Sequence, residues 1–439
     1  MERGTIIMKK SILGSVLVAT TLTSALLGST NSAHAEDMSQ LQTKGKEIQK
    51  DGHDYRIKGI NAGNTFTTEN WMGGLSDYKR AKDYKDLFDK IQSKGHSPKE
   101  THDILNKYAN NKWTDEDFKN VKDMGLNTIR LPINYINVTN YKKGMDPKDV
   151  EMDSHSFEAI DKFVEKAKEH GLYVIIDLHG APYSQNGEQH SADSNHGNKD
   201  NGKFWDGHFW DTDDQDASTS KKVADAQGKT KEILHNIAKH YKDEDAIAGY
   251  DVLNEPKGQS KASHKPEPDS QVNQFYKDAV KSIRDSGDKH IIFLEGIWDP
   301  DNLKKPSYYK DTAHNLVYEY HNYATEWNDS VKQSFDEKLD KIQAKDYNVP
   351  SYMGEFSTRA MGGGPKAQKD DLDYILKQMN NKHLSWSLWN YDTQLDKNHH
   401  NKSWSPIHYS GLKVDGDNIG EKENVTRDDA VYDALKNNS

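Results

Sequence analysis

Eight short apolar runs recur along this chain, separated by segments of helical periodicity, and that alternation leaves few folds open. The runs are Tyr55–Asn61, Leu126–Pro132, Leu172–His179, Ala248–Asn254, Ile291–Glu295, Leu316–His321, Ser351–Glu355 and Ser385–Asn390. Several are nearly unbroken, as in Tyr173-Val174-Ile175-Ile176, which suits a parallel strand buried on both faces. Between them, Val272, Phe275, Tyr276, Ala279, Val280 and Ile283 fall on one helical face. Phe157, Ile160, Phe163, Val164 and Ala167 form another, closed by Gly171, and Leu372, Ile375, Leu376 and Met379 a third. Thr114 before Asp115, Glu116 and Asp117 reads as an N-cap with an acidic first turn, and Gly125 ends that helix. A last helix is expected over Arg427 to Asn437.

Eight strand–helix units predict an α/β fold, a (β/α)8 TIM barrel with long insertions on its catalytic face. A doubly wound open sheet would show a Gly-x-Gly-x-x-Gly turn after the first strand, and none is present. Three connections are too long for turns: Ala62–Lys112, Ala181–Ser220 and Asp392–Arg427. Each follows a strand, which in a barrel places it on the catalytic face.

Composition narrows the function. The 439 residues include no cysteine, so disulfides, thiolate metal sites and cysteine nucleophiles are excluded. Lys+Arg number 59 against 70 Asp+Glu, a formal net charge of −11, which argues against a nucleic-acid partner and favours a neutral substrate over an anionic one. Only 33% of residues are hydrophobic, yet 22 Tyr, 11 Phe and 9 Trp are more aromatic area than a disordered chain carries. At the N-terminus, Lys9 and Lys10, an apolar stretch from Ser11 to Gly28 and the Ala33-His34-Ala35 site read as a secretory signal peptide over residues 1–35. Residues 36–439 then form a single catalytic domain, opened by a polar surface leader over 36–50. The expectation is a secreted, extracellular monomer without a membrane anchor.

The strand ends carry the chemistry. The fourth run ends Asn254-Glu255-Pro256 and the seventh Gly354-Glu355-Phe356. Barrel closure brings those ends to one rim, where two carboxylates can hydrolyse a sugar acetal. Arg130, His179, His321 with Tyr323, and Trp389 end four further runs. So many polar or aromatic residues at the ends of apolar strands are poorly explained by packing.

In these residues, and in their order, the chain resembles glycoside hydrolase family 5, the cellulase-like retaining β-glycosidases. The resemblance implies Glu355 as nucleophile, kept ionised by Arg130 and hydrogen-bonded by Tyr323, and Glu255 as general acid and then base. It implies Asn254 on the sugar 2-hydroxyl, His179 and His321 orienting sugar and acid, and Trp389 as the platform beneath the ring. The segment Asp177 to Gly187 is similar to a loop of exo-β-1,3-glucanase-type members, with Tyr183 replacing the usual small residue. A β-glucan substrate follows, with mannan or a glycosphingolipid as alternatives, and a non-catalytic carbohydrate-binding surface protein as the reading from another class.

Trp71, Trp205, Trp210, Trp298, Trp327 and Trp404 lie on long loops, where about a third are expected to stack on sugar. The acidic run Asp211–Asp216 lacks the glycine and terminal glutamate of an EF-hand and reads as a solvated turn. His190, His196, His208, His399 and His400 read as surface positions. No metal and no cofactor are expected.

Overall fold

The computed structural model describes residues 38–439 except 71, 76–77, 79, 195–208, 211–216, 257–270, 310–313, 325–326, 359–364 and 396–404. The signal-peptide reading, Trp71, Trp205, Trp404, the Asp211–Asp216 run and His196, His208, His399 and His400 lie outside the described residues.

All eight apolar runs become barrel strands: β1 Lys58–Asn61, β2 Thr128–Asn134, β3 Tyr173–Gly180, β4 Ile247–Asp251, β5 Ile291–Glu295, β6 Leu316–Ala324, β7 Ser351–Thr358 and β8 Ser385–Leu388. They pair in parallel in chain order, and β8 closes on β1. The chain is a (β/α)8 barrel. The expected helical faces over 154–169 and 271–285 are buried, as are Leu372, Ile375, Leu376 and Met379. Thr114 caps Asp115–Asp123 through a capping box, and Gly125 follows at φ +74. The last helix runs Asp429–Asn438, and the Asn438 carbonyl accepts from Lys58 and Asn380, which ties it across the β8–β1 seam.

Two expectations need correction. Between β5 and β6 the described chain forms two short 3-10 turns, Pro300–Asn302 and Pro306–Tyr309, in place of an α-helix, because two prolines interrupt any helical ladder. The supposed surface leader folds as an antiparallel meander of Gln42–Lys44, Glu47–Lys50 and His53–Asp54, with Leu41 and Ile48 buried. Tyr173, at the start of β3, donates to the Ser39 carbonyl, and the Thr43 amide donates to Asn315, just before β6. The meander thus lies over the N-terminal end of the barrel.

On the opposite rim, the Asp392–Arg427 connection carries a hairpin, Gly411–Asp415 with Asn418–Glu423. Lys422 of that hairpin reaches Asp117 and Asp392, and the buried Lys112 also binds Asp392. This ionic lattice fixes the segment that leaves β8, on which Trp389 stands.

Candidate active site

Alternation of side chains along a strand decides what reaches the barrel interior. Glu319, His321 and Tyr323 lie at i, i+2 and i+4 on β6, and Asp177 and His179 at i and i+2 on β3. Register then pairs Asn61 with Arg130, Asp177 with Asp251, and Glu295 with Glu319. The polar side chains accordingly converge from neighbouring strands. A bulge in β7 lies between Met353 and Glu355. Gly354 is required there, since a Cβ at this position would stand 1.5 Å from Glu319 Oε1.

Arg130 is fully buried beneath the rim. Its Nη1 donates to Glu355 Oε1 at 2.8 Å and to Asn61 Oδ1 at 3.1 Å. Nη2 donates to Asn254 Oδ1 at 2.9 Å and to Asp251, and lies 3.1 Å from Asp177. Because Asn254 accepts through its oxygen, its amide NH2 is left as a donor. Tyr323 donates to the second Glu355 oxygen at 2.6 Å. His321 Nδ1 lies 3.0 Å from Glu255 Oε1. One carboxylate oxygen of Glu255, one of Glu355 and a ring nitrogen of His321 all lie within 4.8 Å of one another.

Glu255 lies beyond the end of its strand. β4 stops at Asp251, and Glu255 takes a left-handed φ of +43, which carries the chain away from the barrel wall. His179 Nδ1 lies 2.6 Å from Asp177, and the His179 ring stacks on Trp389 with centroids 5.6 Å apart and planes 13° apart. The eight residues expected at the site therefore form one connected group. His190, expected on the surface, belongs to it as well: its Nε2 lies 3.6 Å from Glu255 Oε2.

Among the tryptophans on long loops, Trp210 and Trp327 are buried and pack on Phe275 and Phe335. Trp298 is 37% exposed, with its ring 6.4 Å from His321 and 6.5 Å from Tyr323. It is the described loop tryptophan placed to meet a ligand at this rim. Tyr183 and Ser184 both take positive φ, and Tyr183 donates to Asp146. The residue that departs from the resembled loop thus sits in an unusual turn.

Sequence reasoning assigned no role to Asp177, Asp251, Glu295 or Glu319, all fully buried below the rim. With Glu255 and Glu355 they make six carboxyl groups facing the cations Arg130 and His321, so their protonation states diverge. Burial pushes Asp177 up to about 8, Glu319 up to about 7 and Asp251 up to about 6, and drives Glu295 well above the usual carboxyl value. Burial acts the same way on Glu355, but His321 and Arg130 outweigh it and hold that carboxyl below its usual value. Burial also disfavours a charged His321, yet Glu295 and Glu355 lead the carboxylates that keep it protonated well above the usual range. His179, dominated by burial, is held neutral.

These shifts fix a stability trend. Asp177, Glu319 and His321 bind more protons folded than unfolded across roughly pH 6.5 to 8, so folding stability falls as pH rises through that window. Neutral His179 acts oppositely only below the usual histidine value. The melting temperature should therefore decline between pH 6.5 and 8, and a rise would contradict the assigned protonation states.

A family model described as Cellulase (glycosyl hydrolase family 5) matches residues 85–394. The chain is 27% identical over 421 residues to a probable glucan endo-1,6-beta-glucosidase B of Aspergillus flavus, covering 89% of this chain and 95% of that protein. It is 23% identical over 382 residues to a beta-xylosidase of Phanerodontia chrysosporium, covering 81% and 71%. The solved structure of an endogalactoceramidase shares the fold, with a TM-score of 0.58 at 16% identity, over 91% of this chain and 85% of the other.

Proposed function

The chain belongs to glycosyl hydrolase family 5 and is an O-glycosyl hydrolase, and from that premise we propose that it is an exported, retaining β-glycosidase whose substrate is a β-glucan. Glu355 is the nucleophile and Glu255 the acid and base. The observation that carries this reading is the approach of a Glu255 oxygen to a Glu355 oxygen within 4.8 Å, the close spacing of a double displacement rather than the wider gap that admits water between the carboxyls. The two environments also differ. Glu355 is bound by a guanidinium and a phenol, whereas Glu255 meets His321 and the half-buried His190.

In the first step a Glu355 oxygen forms a bond to the anomeric carbon as the bond to the leaving oxygen breaks. Glu255 delivers its proton to that oxygen. In the second step Glu255, now a carboxylate, takes a proton from water as the water oxygen displaces Glu355 from the anomeric carbon. Asn254, oriented by Arg130, supplies a donor for the sugar 2-hydroxyl. Trp389, braced by His179, offers an apolar face for the ring.

The β-glucan reading draws on the similarity to the Aspergillus endo-1,6-glucosidase along nearly its whole length. Export draws on the N-terminal sequence. Among the described residues no helix is long and apolar enough to cross a membrane.

Assay on pustulan, laminarin, carboxymethylcellulose, mannan and a glycosphingolipid tests the substrate, and NMR of the first-formed product tests the stereochemistry. Cleavage of a β-glucan with the β-anomer formed first is expected. The α-anomer formed first would end the double-displacement assignment. Binding across the panel without cleavage would favour a carbohydrate-binding protein.

A further inference from the structure

Resting on that reading, we propose that Glu295 is the positioning residue for Glu255, gripping it at both ends: its carboxylate accepts the Glu255 backbone N–H and also faces the histidine that holds the Glu255 side chain. Glu295 ends β5 and is fully buried. One of its oxygens, Oε2, accepts from the Glu255 amide. The other, Oε1, has no hydrogen-bond partner among the described residues and lies 3.3 Å from His321 Nδ1. That same nitrogen lies 3.0 Å from Glu255 Oε1. The contacts close a loop from the Glu255 amide through Glu295 and His321 to the Glu255 carboxyl.

Glu295 is itself rigidly held. Tyr276, on the helix Gln271–Asp285, donates its hydroxyl to the Glu295 carbonyl at 2.9 Å and accepts from the Glu295 amide at 3.2 Å. Glu255 needs such a grip because its φ of +43 is strained for a residue with a Cβ. An amide accepted by a carboxylate offsets part of that strain. The loop has a chemical consequence as well. Burial raises Glu295 while His321 lowers it; in its ionised form, 3.3 Å from Nδ1, it favours the imidazolium, so the Glu255 carboxyl meets a charged donor when it loses its proton.

The other charged groups around His321 are Glu319, 3.4 Å from Nε2, and Glu355, 3.6 Å from Nδ1. Arg130, Asp177 and Asp251 lie in the layer shared with Glu319, and Lys338 donates to the His321 backbone carbonyl. Of these carboxylates, Glu295 is the one that also binds the Glu255 backbone.

The test uses the intact enzyme and a series of aryl β-glucosides from phenyl to 2,4-dinitrophenyl. Phenol leaves only with a proton from the acid, whereas 2,4-dinitrophenolate leaves without one. Glu295→Ala should lower kcat/KM for the phenyl glucoside about 100-fold while changing that for the dinitrophenyl glucoside by no more than about threefold. Azide, a nucleophile that needs no base, should accelerate turnover of the dinitrophenyl substrate by the variant. Glu295→Gln keeps an acceptor for the Glu255 amide and isolates the second grip. Its His321 ring, followed by 15N NMR, should titrate between pH 5 and 8, where the wild-type ring stays an imidazolium.

Equal losses across the leaving-group series, or a His321 titration indifferent to Glu295→Gln, would overturn the proposal. A wild type that cleaves neither the aryl β-glucosides nor any β-glucan of the polysaccharide panel would instead refute the β-glucan reading. The His321 titration, which needs no turnover, then decides the role of Glu295 alone.

Discussion

Glu355→Gln should abolish turnover, on the order of 10⁴-fold or more in kcat, while the chain still folds. The amide is nearly isosteric, so the barrel end keeps its shape: its oxygen can still accept from Arg130, and its NH2 can donate to the Tyr323 hydroxyl. On the double-displacement proposal, what disappears is the carboxylate charge that makes this oxygen a nucleophile toward the anomeric carbon. The same geometry supports Glu355 as the proposed nucleophile, because His321 and Arg130 favour its ionised form despite burial and Arg130 and Tyr323 bind its two oxygens. Steady-state kinetics on the best substrate of the polysaccharide panel, with circular dichroism to check the fold, measures the effect. A Glu355→Gln variant retaining more than about a hundredth of the wild-type rate would show that another group attacks the sugar.

How much of this was readable in the sequence follows from where each residue lies. The eight strands were legible because a strand buried on both faces must be apolar throughout, and a polar residue ending such a run then stands out. Arg130, His179, His321, Tyr323 and the two glutamates were found that way. Glu295 and Glu319 sit within or at the end of the same runs and were passed over, although the twofold side-chain period places Glu319 on the face of His321 and Tyr323. Asp251 lay hidden because the run was read through to Asn254, three residues past the end of β4.

His190 was missed for a different reason. Its approach to Glu255 depends on how the turns directly after β3, over residues 181–192, fold over the rim, and no local pattern encodes that path. The meander over residues 42–54 escaped because its buried apolar residues, Leu41 and Ile48, are too few to show a period. The missing helix between β5 and β6 was readable, since Pro300 and Pro306 stand where its ladder would have run.

Arg130 carries the second large expectation, and its effect is on folding as well as on rate. A single buried guanidinium binds Glu355, Asp251, Asn61 and Asn254 and lies within 3.4 Å of Asp177 and Glu319. Removing one partner of a buried ionic contact costs about 3–5 kcal/mol, because the remaining charge is left without compensation. Arg130→Met should therefore lower the unfolding free energy by at least about that much, read as a drop in the urea midpoint.

Arg130→Lys should recover only part of the loss. A lysine ammonium is a point charge with three donors on one nitrogen and cannot span acceptors on β1, β4 and β7 at once. The penalty also depends on pH in a definite direction. Burial raises Asp177, Glu319 and Asp251, so on acidification they take up protons and shed the charge that Arg130 balances. The gap in stability between wild type and Arg130→Met should consequently be wider at pH 8 than at pH 5. In Arg130→Lys, any weakening of the cationic contact lets the Glu355 carboxyl rise, which moves the acidic limb of kcat/KM to higher pH. If Arg130→Met were equally destabilised at both pH values, the buried carboxyl layer would have to hold the same charge across that range, and Arg130 would be a packing residue rather than the counter-charge on which the site is built.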